Sequence, residues 1–246
     1  MKTIGHHFTA FQWALQQFSK GKFLLYFIPG LLIALGFWYL ETWAHGFIGE
    51  GESNGWWNSI VSGTGTVLEF IFKQIAIFFI LTVLSPVNTF LSEAVDTELT
   101  GKAVGFDFIR FFNDIIRMIF VVIIVVFLEF LFMGVWALFA WIFGLQVLSP
   151  TVFFLSASFF YGFAFYDYSL ERYEIGLGGS FRFCEKYFLP TLVTGVIFMG
   201  LYYIPIVGLA IAPVLATIIS THVFLKSTGR LDQVNQQKVN EANETV

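Results

Sequence analysis

Residues 187–225 read YFLPTLVTGVIFMGLYYIPIVGLAIAPVLATIISTHVFL, and no Asp, Glu, Lys or Arg interrupts these 39 positions. A membrane-spanning helix needs about 20 apolar residues, so the run is too long for one helix and short for two. Ile204-Pro205-Ile206-Val207-Gly208 near its centre signals a turn. Its removal leaves two arms of roughly 17 residues, at the short limit for crossing. Pro190 and Pro213 shorten the regular helix further, because proline has no N–H to donate. The stretch reads as a helical hairpin with its tip in or near a membrane. Non-helical backbone at that depth is tolerated only beside protein or a water-filled cavity, which implies oligomer contacts or a polar path.

The rest of the chain has the same character. Of 246 residues, 57% are hydrophobic, 12% are charged and 33 are Phe. A soluble domain of this size could not bury that much apolar surface. The composition excludes a cytosolic enzyme, a nucleic-acid binder and a disordered regulator, and points to an all-α integral membrane protein. Net charge is −4, which argues against a surface that tracks nucleic-acid phosphates. The single cysteine, Cys184, allows no internal disulfide and reads as a half-buried packing residue.

Uncharged runs cover Phe23 to Leu40 and Gln74 to Ser92. Glu69 and Lys73, four apart, can pair and let the second helix begin near Thr66. Met118 to Tyr166 carries one charge, Glu129, and breaks near Gly144 and Pro150. These signals predict long helices over 23–44 and 66–98 and helical hairpins over 115–166 and 187–225. Residues 1–20 lack the pattern of a cleavable signal peptide. Phe11, Leu15 and Phe18 fall at helical spacing there, so the segment reads as an amphipathic helix on the membrane surface, with His6 and His7 solvated. Residues 1–226 form one multipass domain, and 227–246 form a polar, disordered cytoplasmic tail. Ile175-Gly176-Leu177-Gly178-Gly179-Ser180 lacks the spacing of a phosphate loop and reads as a linker ending in a Ser180 N-cap. There is also a weak internal echo: Pro86, Pro150 and Pro213 each follow two apolar or small residues, 64 and then 63 positions apart. It fits either broken transporter repeats or generic kinks.

Charge is asymmetric. The loop from Glu41 to Gly65 holds no Lys or Arg, nor do the two hairpin tips. Twelve of the 13 cations, all but Lys73, fall on the side shared by both termini. Both termini are therefore expected in the cytoplasm. The rule does not decide whether the hairpins cross fully or only partway, since either returns the chain to the same side. Trp43, Trp56 and Trp57 in the external loop fit an interfacial aromatic belt.

Two stretches carry a resemblance. The first is Leu84-Ser85-Pro86-Val87-Asn88-Thr89-Phe90-Leu91-Ser92-Glu93, running on to Leu99-Thr100-Gly101. The second is Tyr166-Asp167-Tyr168-Ser169-Leu170, continuing through Gly195 to Ile204-Pro205 and Ala212-Pro213-Val214-Leu215-Ala216-Thr217. Together they resemble the CysZ-type sulfate permeases, a family grouped with the eukaryotic etoposide-induced membrane proteins. The resemblance runs from about Gly21 to Lys226 and implies a bacterial inner-membrane oligomer of spanning helices and half-penetrating hairpins that admits sulfate. The family tends to carry Gly-x-Arg-Arg at the start of its first membrane helix, linked to sulfate binding. Here Lys20-Gly21-Lys22-Phe23 stands there instead. Lysine offers an oxyanion a point charge in place of a bidentate fork.

Candidate sites follow. Lys20, Gly21 and Lys22 are expected either to draw an anion or to mark topology. Ser85, Asn88, Thr89 and Ser92 share one helical face and suit either a hydrated path or interhelical hydrogen bonds. Glu129 inside a membrane segment is a functional candidate for gating, as are Pro205 and Gly208 at the hairpin tip. Arg172, Arg182 and Lys186 read as a membrane-anchoring face. No His-Glu-x-x-His, Gly-x-Ser-x-Gly or Cys/His cluster is present, so no enzyme and no cofactor are expected. The expected function is passage of sulfate or a similar inorganic anion by a homo-oligomer in the bilayer. The alternative is a structural or regulatory membrane protein without transport.

Overall fold

A computed structural model describes residues 2–48, 67–101, 108–204 and 207–244. Their regular structure is helical throughout: α1 (Lys2–Ser19), α2 (Phe27–Ile48), α3 (Val67–Thr100), α4 (Phe108–Phe143), α5 (Ser149–Arg172), α6 (Leu177–Lys186), α7 (Phe188–Tyr202), α8 (Val207–Ser227) and α9 (Arg230–Glu244). Pro205, the tryptophans at 56 and 57, and the side chains of Trp43, Glu69 and Lys73 lie outside the described residues.

The helix ends follow local chemistry. Gly21, at φ 76°, stops α1: its N–H reaches the Phe18 carbonyl (2.9 Å) and the Lys22 N–H reaches Gln17 (3.0 Å). Those two bonds are the Schellman pattern, which favours glycine because it needs a left-handed residue. Phe23 is also left-handed (φ 64°), and a short 3-10 turn, Leu24–Tyr26, leads into α2. Together they bend the chain by 101° between α1 and α2. Gly144 (φ 70°) ends α4 the same way, with the Leu145 N–H on Ala140 (2.8 Å). Pro150 then sits in the first turn of α5, where its missing N–H costs nothing.

Four helical stretches are long and apolar enough to cross a membrane: Ile77–Thr100, Ile116–Phe143, Gln146–Arg172 and Val207–Ser227. The arms of the first hairpin, α4 and α5, span about 54 and 36 Å at 1.5 Å per residue, more than a hydrocarbon core of about 30 Å. The second hairpin differs. α7 has 15 residues, about 22 Å, and turns 93° from α6 instead of extending it. Its other arm, α8, is the centre of the molecule. In α8 89% of the spanning window is buried, against 28% in α4. α8 packs on α1, α2, α3, α5, α7 and α9, whereas α4 forms an outer wall with Ile123, Phe127 and Leu138 exposed.

The closest helix contact is between α5 and α7. A Cβ on Gly195 would stand 1.6 Å from the Ser158 carbonyl oxygen, and one on Gly162 would stand 2.0 Å from that of Thr191. Ser158-x-x-x-Gly162 thus crosses Thr191-x-x-x-Gly195, a reciprocal pair of small residues of the kind that lets membrane helices approach without a hydrophobic driving force. Gly30 in α2 similarly meets Ala210 and the Leu209 carbonyl of α8. That carbonyl has no intrahelical donor, because Pro213 lies four residues on.

Three expectations are corrected. The segment after Lys226 is not wholly disordered: Gly229 (φ 73°) makes a turn and α9 follows, held by the Arg230 guanidinium 3.9 Å from the Tyr173 ring centre and by the Lys226–Asp232 ion pair. The segment 175–180 is not a linker, since Gly176 precedes the first turn of α6 and Ser180 lies buried inside that helix. Cys184 is fully buried, not half-buried, and burial pushes its thiol up to about 12, which leaves it unreactive. As for the echo, Pro86 and Pro213 lie inside helices while Pro150 starts one, so the three copies do not share a structural role.

Gly195→Ala should displace α7 from α5 and cost more than about 2 kcal/mol, because backbone and not a side-chain tip must move. Gly134→Ala, in open space on α4, should be neutral or slightly stabilising. Thermal unfolding in detergent, followed by monodispersity, distinguishes the two. Equal behaviour would contradict the tight crossing.

Candidate functional site

α3 turns its polar stripe inward. Ser85, Asn88 and Ser92 are all at most 2% exposed, and Thr89 is half-buried. Asn88 Nδ2 donates to the Tyr168 hydroxyl of α5 at 3.4 Å. Ser92, Ser169 of α5 and Thr221 of α8 form a ring of hydroxyls, with separations of 3.2, 3.1 and 2.9 Å. Uncharged donors from three helices therefore meet in one buried seam. Ser220 adds a bond to the Phe165 carbonyl (3.1 Å), so α8 is tied to α5 twice. Groups like these stay inside an apolar bundle because each finds a partner there.

At one end the seam meets buried charges. Arg117 of α4 reaches Asp167 (2.9 Å) and Glu171 (3.4 Å) of α5, and Ser180 of α6 donates to the same Asp167 at 2.6 Å. Arg172 pairs with Asp96 of α3 at 2.8 Å, and the Tyr173 hydroxyl donates to that carboxylate at 2.9 Å. Burial and the Asp96 carboxylate hold the Tyr173 hydroxyl up at about 12, so it stays a donor. Arg172 is thus a buried partner and no part of an anchoring face, whereas Arg182 and Lys186 are exposed on α6. Arg117 with Asp167 and Glu171, and Arg172 with Asp96, lock α3, α4, α5 and α6 at this end, and Arg230 of α9 stacks on Tyr173 beside them. Sequence reading missed the lock. Its signal was a lone Asp167 between Tyr166 and Tyr168, and Arg117 just before a long apolar run.

The remaining candidates are scattered. Lys20 is exposed, and Lys22 pairs with Glu98 of α3 at 2.7 Å. Gly21 serves the Schellman turn. Glu129 is 1% exposed in α4, within electrostatic reach of Tyr161. Gly208 is packed against the Leu201 and Tyr202 carbonyls, where a Cβ would stand 2.5 and 2.7 Å away, so it closes the second hairpin tightly. The structure gathers Ser85, Asn88 and Ser92 on one buried face, while the lysine turn lies at the junction of α1 and α2.

His7 is also corrected, from solvated to buried. Its Nδ1 lies 2.9 Å from the Thr3 carbonyl oxygen, and its Nε2 lies 3.0 Å from the Thr194 hydroxyl and 3.2 Å from the Pro190 carbonyl oxygen. His7, Ala10, Ala14 and Gln17 form the buried face of α1, while Ile4, Phe8 and Leu15 point away. The small and polar face is buried on the protein, Phe11, Trp13 and Phe18 pack half-buried beside it, and Ile4, Phe8 and Leu15 are left for lipid.

Helices this apolar on the outside, with hydroxyl, amide and charged groups gathered inside, define an integral membrane protein. The family model described as Sulfate transporter CysZ/Etoposide-induced protein 2.4 matches residues 10–213, and the chain belongs to that family. No curated protein and no solved structure matches it. Among the described residues, no group of three or more His, Cys, Asp or Glu is placed to hold a metal ion.

Arg117→Met or Asp167→Leu alone should each cost about 3–5 kcal/mol by stranding a buried charge, and the double variant should recover most of it. A double-mutant cycle by thermal unfolding in detergent measures this. Purely additive losses would contradict the pairing. Burial holds His7 below its ordinary 6.5. The undocked form therefore takes the proton first, so α1 docking is full above about pH 6.5 and weakens as the pH falls below it. Hydrogen exchange of α1 amides should rise between pH 7.5 and 5.5, after correction for intrinsic rates, and the rise should vanish in His7→Leu.

Proposed function

We propose that this chain moves sulfate or a similar inorganic oxyanion across a bacterial inner membrane, without a cofactor, with both termini on the cytoplasmic side. Membership of the family supports the reading. The observation that carries it is the seam between α3, α5 and α8. Asn88, Ser92, Tyr168, Ser169 and Thr221 supply neutral donors that meet in one place between three helices. A desolvated oxyanion needs such donors to replace its hydration, and neutral ones do not trap it as a buried arginine would.

The hydroxyls now bond one another. An arriving anion exchanges hydroxyl–hydroxyl bonds for hydroxyl–anion bonds, and a small separation of α3 from α5 and α8 makes room for it. Pro86 lies within the turn from Ser85 to Thr89, and it removes the N–H that would hold the Thr82 carbonyl, so α3 is softened there. Of the two lysines at the turn from α1 to α2, Lys22 is engaged by Glu98, and exposed Lys20 is the one placed to draw an anion. Assembly into a homo-oligomer would cover part of the outer wall of α4.

The second reading is a membrane protein that organises its surroundings and transports nothing. The closed hydroxyl ring and the Lys22–Glu98 pair favour it, because both leave polar groups satisfied without a substrate.

Uptake of labelled sulfate into sealed vesicles decides between them, with phosphate, selenate and chloride as competitors. Saturable uptake is expected, reduced about tenfold or more in Asn88→Leu for the loss of one polar contact, and unchanged in Gly134→Ala. Absence of flux for every anion, from protein that elutes as a single folded species, would overturn transport and leave the organising role.

A further inference from the structure

A groove of about 560 Å³ opens beside the turn from α1 to α2. Phe23 and Tyr26 of the turn form one wall, with ring centres 6.4 Å apart. The other wall is a single stripe of α3, which includes Phe90, Glu93, Thr97 and Glu98. Its volume is that of a small-ligand site. Its chemistry is the reverse of an oxyanion site. Three aromatic side chains and two carboxylates line the cavity, and the carbonyl end of α3 lies at Thr97 to Thr100. Lys22 offsets only one carboxylate, Glu98.

The location fixes the kind of ligand. α1 lies against the bundle with Ile4, Phe8 and Leu15 outward, and α2 leaves it at about a right angle, with Leu24, Leu25 and Ile28 exposed just beyond the turn. Such a corner belongs at the boundary between headgroups and acyl chains. Lys20 is exposed on the same turn. The groove therefore offers a negative, aromatic hollow, a cation close by and an apolar flank, the three features of a zwitterionic lipid in complementary form.

We propose that this groove binds the headgroup of an ethanolamine phospholipid. The ammonium sits among Phe23, Tyr26 and Phe90 against the Glu93 carboxylate, and the phosphate faces Lys20. A primary ammonium fits better than choline, because it can donate to Glu93 and to the Thr97 hydroxyl while choline has no N–H. An anionic headgroup without an amine is repelled by the same carboxylates. The site is independent of whether an anion crosses the seam, and its test uses no flux.

Protein reconstituted in vesicles of equal parts phosphatidylethanolamine, phosphatidylglycerol and phosphatidylcholine is extracted and its retained lipid is read by native mass spectrometry. Phosphatidylethanolamine should be retained about tenfold over each of the others, a preference of the size that a cation among aromatic rings can supply. Glu93→Gln keeps shape and removes charge, and it should abolish most of that preference. Phe90→Leu, which keeps the charge and removes a ring, should weaken it. Equal retention of the three lipids, a preference for phosphatidylglycerol or phosphatidylcholine, or a phosphatidylethanolamine preference that survives Glu93→Gln would overturn the assignment.

Discussion

The fold depends on one close approach, in which Gly195 lies against the Ser158 carbonyl and Gly162 against that of Thr191. In lipid, helices gain little by hiding apolar surface from one another, so contact distance and polar complementarity decide which faces meet. With both glycines in place, α7 lies flush on α5. α8 returns antiparallel to α7 beside both, and its Ser220 and Thr221 then meet Phe165, Ser169 and Ser92. The seam of donors exists because this crossing sets the depth at which α8 sits. A wider crossing would leave the same hydroxyls facing apolar side chains.

Polar side chains do two different jobs. In the seam they are neutral and bond weakly to each other, which leaves them exchangeable. At the charged end they form pairs and forks around Asp96 and Asp167, which fixes the ends of α3, α4 and α5. On the proposed reading the first region rearranges and the second holds, since donors can be lent to a passing ion only if the helices that carry them are anchored elsewhere.

The membrane class was legible in composition, and the helix breaks were legible in Gly144, Pro150 and the Ile204–Gly208 segment, because a missing N–H or a left-handed residue acts locally. The inward stripe of α3 was legible from the spacing of Ser85, Asn88 and Ser92. Its partners were not, since nothing local says that Ser92 will face Thr221, 129 positions away. The charged lock was misread for the same reason: Arg172 looks like an anchor until Asp96 is placed beside it. α1 misled in another way. The spacing of Phe11, Leu15 and Phe18 suggested a membrane-surface helix with His7 solvated, but the face that carries His7, Ala10 and Ala14 is buried against the protein. The α9 helix escaped because its composition is mostly polar, and Arg230, Leu231 and Val234 reveal their role only once they meet the bundle.

The central helix is also among the last to be made. α8 spans Val207–Ser227, and α1, α2, α3, α5 and α7 all lean on it. None of those contacts can form until synthesis has passed Val207. The earlier helices must therefore wait in the bilayer with their hydroxyls unmatched or provisionally matched, and the final stretch arrives as a keystone. Truncation anywhere upstream of it removes the middle of the protein, however many helices precede the cut.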